Sequence, residues 1–218
     1  MNATLTIPDK LDELTLKQYK HFLTVTKDLE GEFYNQRMIE SLCNVSFLRA
    51  RMIKKRDVND IIDHLTTLLN SEKEFSHRFF IKNVEFGMIP DLENITSGEY
   101  ADLTKYIGDE QTMNKAMAVL FRPIKQKVGE KYSIIDYNGT GETSELLNFM
   151  PLGVAMGAVV FFYRLTNDLT NAIHHSTMSE AVKEILQSQP NLGKNGDGIS
   201  TFIPSLKAVL QNLTRLPN

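Results

Sequence analysis

Leu146–Tyr163 reads LLNFMPLGVAMGAVVFFY, an uncharged run closed by Glu145 on one side and Arg164 on the other. Its eighteen residues hold Pro151 near the start, and Gly153 and Gly157 four places apart. Proline fits the first turn of a helix, where an N–H would have no partner anyway. Beyond it the apolar side chains fall all round a helical wheel, which predicts a helix enclosed on nearly every side. The glycine pair shares one face and lets a neighbouring backbone come close. The stretch therefore sets the centre of the fold, with Gly153 and Gly157 as its packing residues. It is not expected to span a membrane. A bilayer needs ~20 apolar residues, and Pro151 leaves only the portion up to Tyr163 as unbroken helix.

The chain around it has 218 residues, enough for one globular domain with a large apolar centre. Hydrophobic residues make up 42% and charged residues 23%, the proportions of an ordinary folded protein. A net charge of −3 argues against a general nucleic-acid binder, which carries a basic excess. The single cysteine, Cys43, excludes an intrachain disulfide and fits a reducing compartment. Met1–Leu14 is polar and carries Asp9, Asp12 and Glu13, so no secretory leader is expected.

Two segments echo one another: Ile7-Pro8-Asp9 leading to Thr15, Gln18 and Tyr19, and Ile89-Pro90-Asp91 leading to Thr96, Glu99 and Tyr100. Each starts with a short strand-like run, Thr4–Ile7 and Phe86–Ile89, stopped by a proline. Each threonine has Gln or Glu three places on, the pattern of a capping box, so helices are predicted to start at Thr15 and Thr96. Leu16, Tyr19, Phe22 and Leu23 form the apolar face of the first helix, and Tyr34, Met38, Ile39 and Leu42 that of a second. Asp57 is placed to cap a third, with Val58, Ile61, Ile62, Leu65, Leu68 and Leu69 inward. Arg78–Lys82 with Phe86–Ile89, and Ile124–Val128 with Tyr132–Tyr137, read as two β-hairpins. Asp109 is placed to cap a helix over Met113–Phe121, and further helices are predicted over Ser179–Gln187 and towards Leu213. The expected fold class is α+β, mainly α-helical: a helical core around the central helix, with two small hairpins. A single domain over 1–218 is expected, the alternative being a division into 1–83 and 84–218.

No catalytic, cofactor-binding or metal-binding constellation stands out. Arg49, Arg51, Lys54, Lys55 and Arg56 crowd eight residues and are the candidate nucleic-acid contact. The simpler reading is a solvated connection between two helices, with Met52 and Ile53 turned inward, since no aromatics interleave for base stacking. Asp60, Asp63 and His64 share a helix turn, but a metal needs three or four converging ligands. His174-His175 and Cys43 lack partners for chemistry. The loops Asn138–Glu142 and Gly193–Gly198 lack the spacing of a P-loop or a calcium loop.

Several phrases resemble a protein family found in tailed bacteriophages, particularly those of Bacteroidetes-type hosts and of marine and gut samples. They are Ile7-Pro8 to Tyr19, Phe86-Gly87-Met88-Ile89-Pro90, Ser97–Leu103, Lys115–Ile124, Met150-Pro151-Leu152-Gly153 through Phe161-Phe162-Tyr163, and Asn195–Ile199. The resemblance spans most of the chain, and its motifs are structural. It implies a non-enzymatic virion or morphogenesis protein of the head–tail or tail region, working by contacts with other phage proteins. The alternatives are a soluble tail-assembly chaperone and a DNA-associated packaging or accessory factor using residues 49–56. A homo-oligomer in the virion, or in the host cytoplasm during assembly, is the expected setting, without cofactor or membrane.

Overall fold

Both echoing segments fold as their threonines predict. Thr15 caps α1 (Leu16–Thr26) and Thr96 caps α5 (Ser97–Tyr106), each in a reciprocal capping box. These helices belong to a mainly α-helical α+β fold. The computed structural model describes residues 5–92 and 95–175, and among them are eight α-helices and one four-stranded antiparallel sheet. The chain divides into two compact units. One takes the chain up to Glu74 together with Asn148–Met156; the other takes Phe75–Leu147 and the chain from Gly157 on. A division at residues 83 and 84 would instead pass through the turn of the first hairpin.

In the first unit α1 packs on α2 (Gly31–Leu42), and α2 on α3 (Phe47–Arg51) and α4 (Lys55–Asn70). Leu16, Tyr19 and Phe22 from α1, Met38, Ile39 and Leu42 from α2, and Val58, Ile61, Leu65, Leu68 and Leu69 from α4 are buried. Full burial of such a side chain contributes roughly 1.5–3 kcal/mol. Asp57 does not cap α4. The helix starts at Lys55, two residues earlier, and Asp57 sits in its first turn, where a carboxylate suits the positive helix end. Of the strand-like run expected over Thr4–Ile7, Leu5–Ile7 forms no strand, and Thr4 lies outside the described residues.

The same unit contains the entrance of α8 (Leu152–His175), stitched to the capped start of α1. Leu16 donates its N–H to the Met150 carbonyl at 3.0 Å, Lys17 to Asn148 at 2.8 Å, and Leu152 to Leu14 at 2.8 Å. Pro151, lacking an N–H, sits one residue before the helix, in an isolated bridge with Thr15. Leu152, Val154 and Ala155 are buried. A Cβ at Gly153 would meet the Asp12 carboxylate and Leu11, so the glycine admits side chains rather than another helix's backbone. Enclosure of the uncharged run is incomplete, since Phe149 is 54% exposed and Leu146, in the other unit, 50%. Both precede α8, in the turn and in α7.

The second unit is built on β1 (Arg78–Ile81), β2 (Val84–Met88), β3 (Phe121–Val128) and β4 (Lys131–Ile134), in the order β1-β2-β3-β4. The two expected hairpins are thus one sheet, joined where Phe86, Gly87 and Met88 of β2 pair with Pro123, Arg122 and Phe121. Phe79 and Phe86, cross-strand partners, stack at 5.5 Å, and Phe121 meets Phe79 edge-on. Gly87 lies under the Tyr132 ring, which leaves no room for a Cβ there. α6 (Met113–Leu120) runs directly into β3 and packs on α5 and on α7 (Gly141–Leu147). Asp109 caps a 3-10 turn over Glu110–Thr112 rather than α6 itself. Seven of the eight α6 residues are buried. The next part of α8 also lies here, with Gly157, Ala158, Val159 and Phe162 buried and Phe161 stacked on Phe75 at 4.2 Å. Among the described residues no helix is long and apolar enough to cross a membrane. The helices expected beyond Ser179 lie outside the described residues.

Candidate functional site

Three constellations gather charge among the described residues: a buried network and a more open cluster on the sheet in the second unit, and a basic surface in the first. The network starts at the second capping box. The Glu99 Oε2 accepts from the Thr96 N–H at 2.7 Å and from its hydroxyl at 2.8 Å, while the Glu99 N–H donates back to the Thr96 hydroxyl at 3.2 Å. Its other oxygen, Oε1, takes the Arg122 guanidinium at 2.6 Å. Both side chains are almost wholly enclosed, Glu99 at 5% exposure and Arg122 at 9%. Arg122 is held there because β3 follows α6 without a loop, so the residue after Phe121 must pair with Gly87. Its guanidinium lies 5.5 Å from the centre of the Tyr137 ring, and the Tyr137 hydroxyl donates to Asp102 Oδ2 at 2.6 Å. Burial, and then the Asp102 carboxylate, push the Tyr137 phenol well above its ordinary range.

Both Glu99 oxygens are engaged, Tyr137 stays a hydrogen-bond donor, and Arg122 answers a carboxylate that would otherwise be buried alone. A general base needs a proton of a bound substrate within hydrogen-bond reach, and Glu99 at 5% exposure offers no such approach. The buried Arg122 Nε is without a hydrogen-bond partner among the described residues. Nearby, Asn114 ties α6 to α7 by donating to the Ser144 carbonyl at 3.0 Å. On the sheet, Arg78, Glu85, Lys127 and Glu130 form a second ionic cluster, more open to solvent. Beside it His77 is held below its ordinary pKa, by burial first and then by Arg78.

The basic surface is where the sequence placed it, but its apolar residues are not. Arg49, Arg51, Lys54, Lys55 and Arg56 are all exposed. Met52, expected inward, is 84% exposed, and only Ile53 is partly covered. The reason is α3, whose short turn buries Ala50 instead. Lys55 forms an ion pair with Glu32, and Arg56 lies 3.4 Å from Asp57.

The remaining candidates stay apart. His64 Nε2 lies 2.9 Å from the Pro8 carbonyl and 3.7 Å from Asp9, and thus docks the segment before α1; Asp60 and Asp63 face solvent. Among the described residues no three His, Cys, Asp or Glu converge as metal ligands. Cys43 is buried, and burial pushes its thiol up to about 11. The Asn138–Glu142 segment leads from β4 into α7, with Gly139 at φ 80°. His174 and His175 are the last residues of α8, and Gly193–Gly198 lies outside the described residues.

Sequence reading singled out Glu99 only as a helix cap and passed over Arg122, Tyr137 and Asp102. The available signal was Arg122 itself, a charge set directly after the apolar run Ala116–Phe121. Fold and network together define a small helical α+β protein whose buried charges serve one another. No family model matches the chain, and no curated protein or solved structure matches it.

Proposed function

We propose that this protein is a non-enzymatic structural or assembly component of a tailed-bacteriophage particle, in its head–tail or tail region, acting by protein–protein contact. One observation carries the contact reading: large apolar side chains stand in solvent in both units, among them Leu48 at 70%, Met52 at 84%, Phe80 at 61% and Val128 at 83%. Exposed apolar groups of this size gain from being covered by a partner. The ionisable groups that do converge are engaged with one another, which supports contact over chemistry. The phage reading rests on the resembling phrases Ile7-Pro8 to Tyr19, Phe86-Gly87-Met88-Ile89-Pro90, Ser97–Leu103, Lys115–Ile124, Met150-Pro151-Leu152-Gly153 through Phe161-Phe162-Tyr163, and Asn195–Ile199. A symmetric oligomer fits such a component, in the virion or in the host cytoplasm during assembly.

Quantitative mass spectrometry of purified particles tests this reading. The expected result is a fixed copy number per particle. Recovery only in assembly intermediates, bound to a tape-measure protein, would assign the chaperone role. Turnover of a nucleotide, ester or glycoside that is lost on a point substitution would overturn the non-enzymatic reading.

A further inference from the structure

We propose that the α3 corner of the first unit docks an acidic, amphipathic segment of a partner protein, with Leu48 and Met52 as the apolar contacts. Arg49, Arg51 and Lys54 supply the charge that selects it. The proposal rests on the contact reading above and names the partner's chemistry.

The burial order in α3 is inverted. A helix normally turns its largest apolar side chains inward. Here Ala50 is at 0% exposure, while Leu48 stands at 70% and Met52 at 84%. Met52 continues the helical backbone past Arg51, with φ −88° and ψ −5°. Leu48 and Met52, four residues apart, therefore share one outward face.

Charge identifies what covers that face. The segment Arg49–Arg56 holds five basic residues in a chain of net charge −3. Lys55 and Arg56 have carboxylate neighbours in Glu32 and Asp57. Arg49, Arg51 and Lys54 have none within ion-pair distance among the described residues, and Arg51 lies 5.7 Å from the Phe47 ring centre. A partner bearing carboxylates beside apolar residues satisfies both features together, steering the encounter through charge. Nucleic acid satisfies only one. Phosphates gain nothing from Leu48 and Met52, and the Phe47 ring that bases would stack on carries the Arg37 guanidinium at 3.8 Å. A lipid surface needs a longer amphipathic helix than the five residues of α3.

Photo-crosslinking of the full chain tests this, with p-benzoylphenylalanine in place of Met52, in the cells that make the protein. The adduct is mapped by mass spectrometry. The expected adduct is a protein segment with carboxylates and apolar residues at helical spacing. The yield is expected to fall about tenfold with Arg49→Glu and Lys54→Glu together, in chain whose circular dichroism and melting are unchanged. Adducts to nucleic acid, to lipid or to a basic or neutral protein segment overturn the proposal, as does the absence of any adduct. An acidic partner foreign to phage particles leaves the docking surface standing and removes the phage reading. A particle protein joined through a non-acidic segment does the reverse.

Discussion

The two capping boxes use one local device for different tertiary ends. In the first unit Gln18 Oε1 accepts from the Thr15 N–H at 2.9 Å, and its Nε2 reaches the Leu42 carbonyl at the end of α2 at 3.4 Å. In the second, Glu99 repeats the backbone contact at 2.7 Å, and its spare oxygen holds Arg122. The first link is neutral and partly open; the second joins two charges removed from water. A neutral hydrogen bond contributes about 0.5–1.5 kcal/mol, whereas breaking a buried pair leaves a charge uncompensated, at a cost of about 3–5 kcal/mol. One atom of difference at the third helical position thus separates a neutral tertiary link from a charged one.

The largest expected effect is that of Glu99→Gln, which keeps the capping box and removes the partner of Arg122. Urea unfolding should show a loss of about 3–5 kcal/mol, against about 1 kcal/mol for Gln18→Ala. Similar losses at the two sites would erase the contrast between the two boxes.

Next come two glycines, one in each unit. At Gly87 an added methyl meets the Tyr132 ring, pinned by its hydroxyl's bond to the Met88 carbonyl at 2.9 Å. Gly87→Ala is expected to cost about 1–3 kcal/mol. At Gly153 the obstacle is the exposed Asp12 carboxylate, which can swing aside. Thermal melts should place Gly153→Ala within about 1 kcal/mol of the parent, helped by alanine's better helix propensity.

Smaller again, and equal, are Thr15→Ala and Thr96→Ala. Each removes the same cap hydroxyl, for about 1 kcal/mol in denaturant titrations. A clear inequality would mean that the boxes differ locally as well as in what they anchor.

The last effect is one of pH, confined to alkaline solution. The Cys43 thiol, ordinarily ionising at 9.0, is pushed by burial up to about 11 in the fold. Below pH 9 neither state ionises it and its contribution is complete. Between pH 9 and about 11 the unfolded chain loses the proton first, so stability falls as pH rises. Native Cys43 should accordingly resist iodoacetamide at pH 7 and react once urea unfolds the chain.

Local patterns were legible in the sequence, and their long-range uses were not. Both capped helices, the α4 stripe and both hairpins could be read because each signal lies within a few residues. The Glu99–Arg122 pair bridges α5 and β3, and nothing near either residue marks the other. The joining of the hairpins through Phe86–Met88 and Phe121–Pro123 is hidden for the same reason. The enclosure of α6 was masked by Lys115, which is partly exposed while its neighbours are buried. Met52 was expected inward from its hydrophobicity. The α3 turn buried Ala50 instead, so the basic corner gained an apolar face that composition does not reveal.

The non-enzymatic reading depends on the enclosed acid and base holding the second unit together rather than performing a reaction. The most direct check is equilibrium unfolding of Glu99→Gln, Arg122→Met and the two combined. Each single variant should lose several kcal/mol, and the combination clearly less than their sum, because neither charge is then stranded. Single variants as stable as the parent, or losses that simply add, would contradict the account.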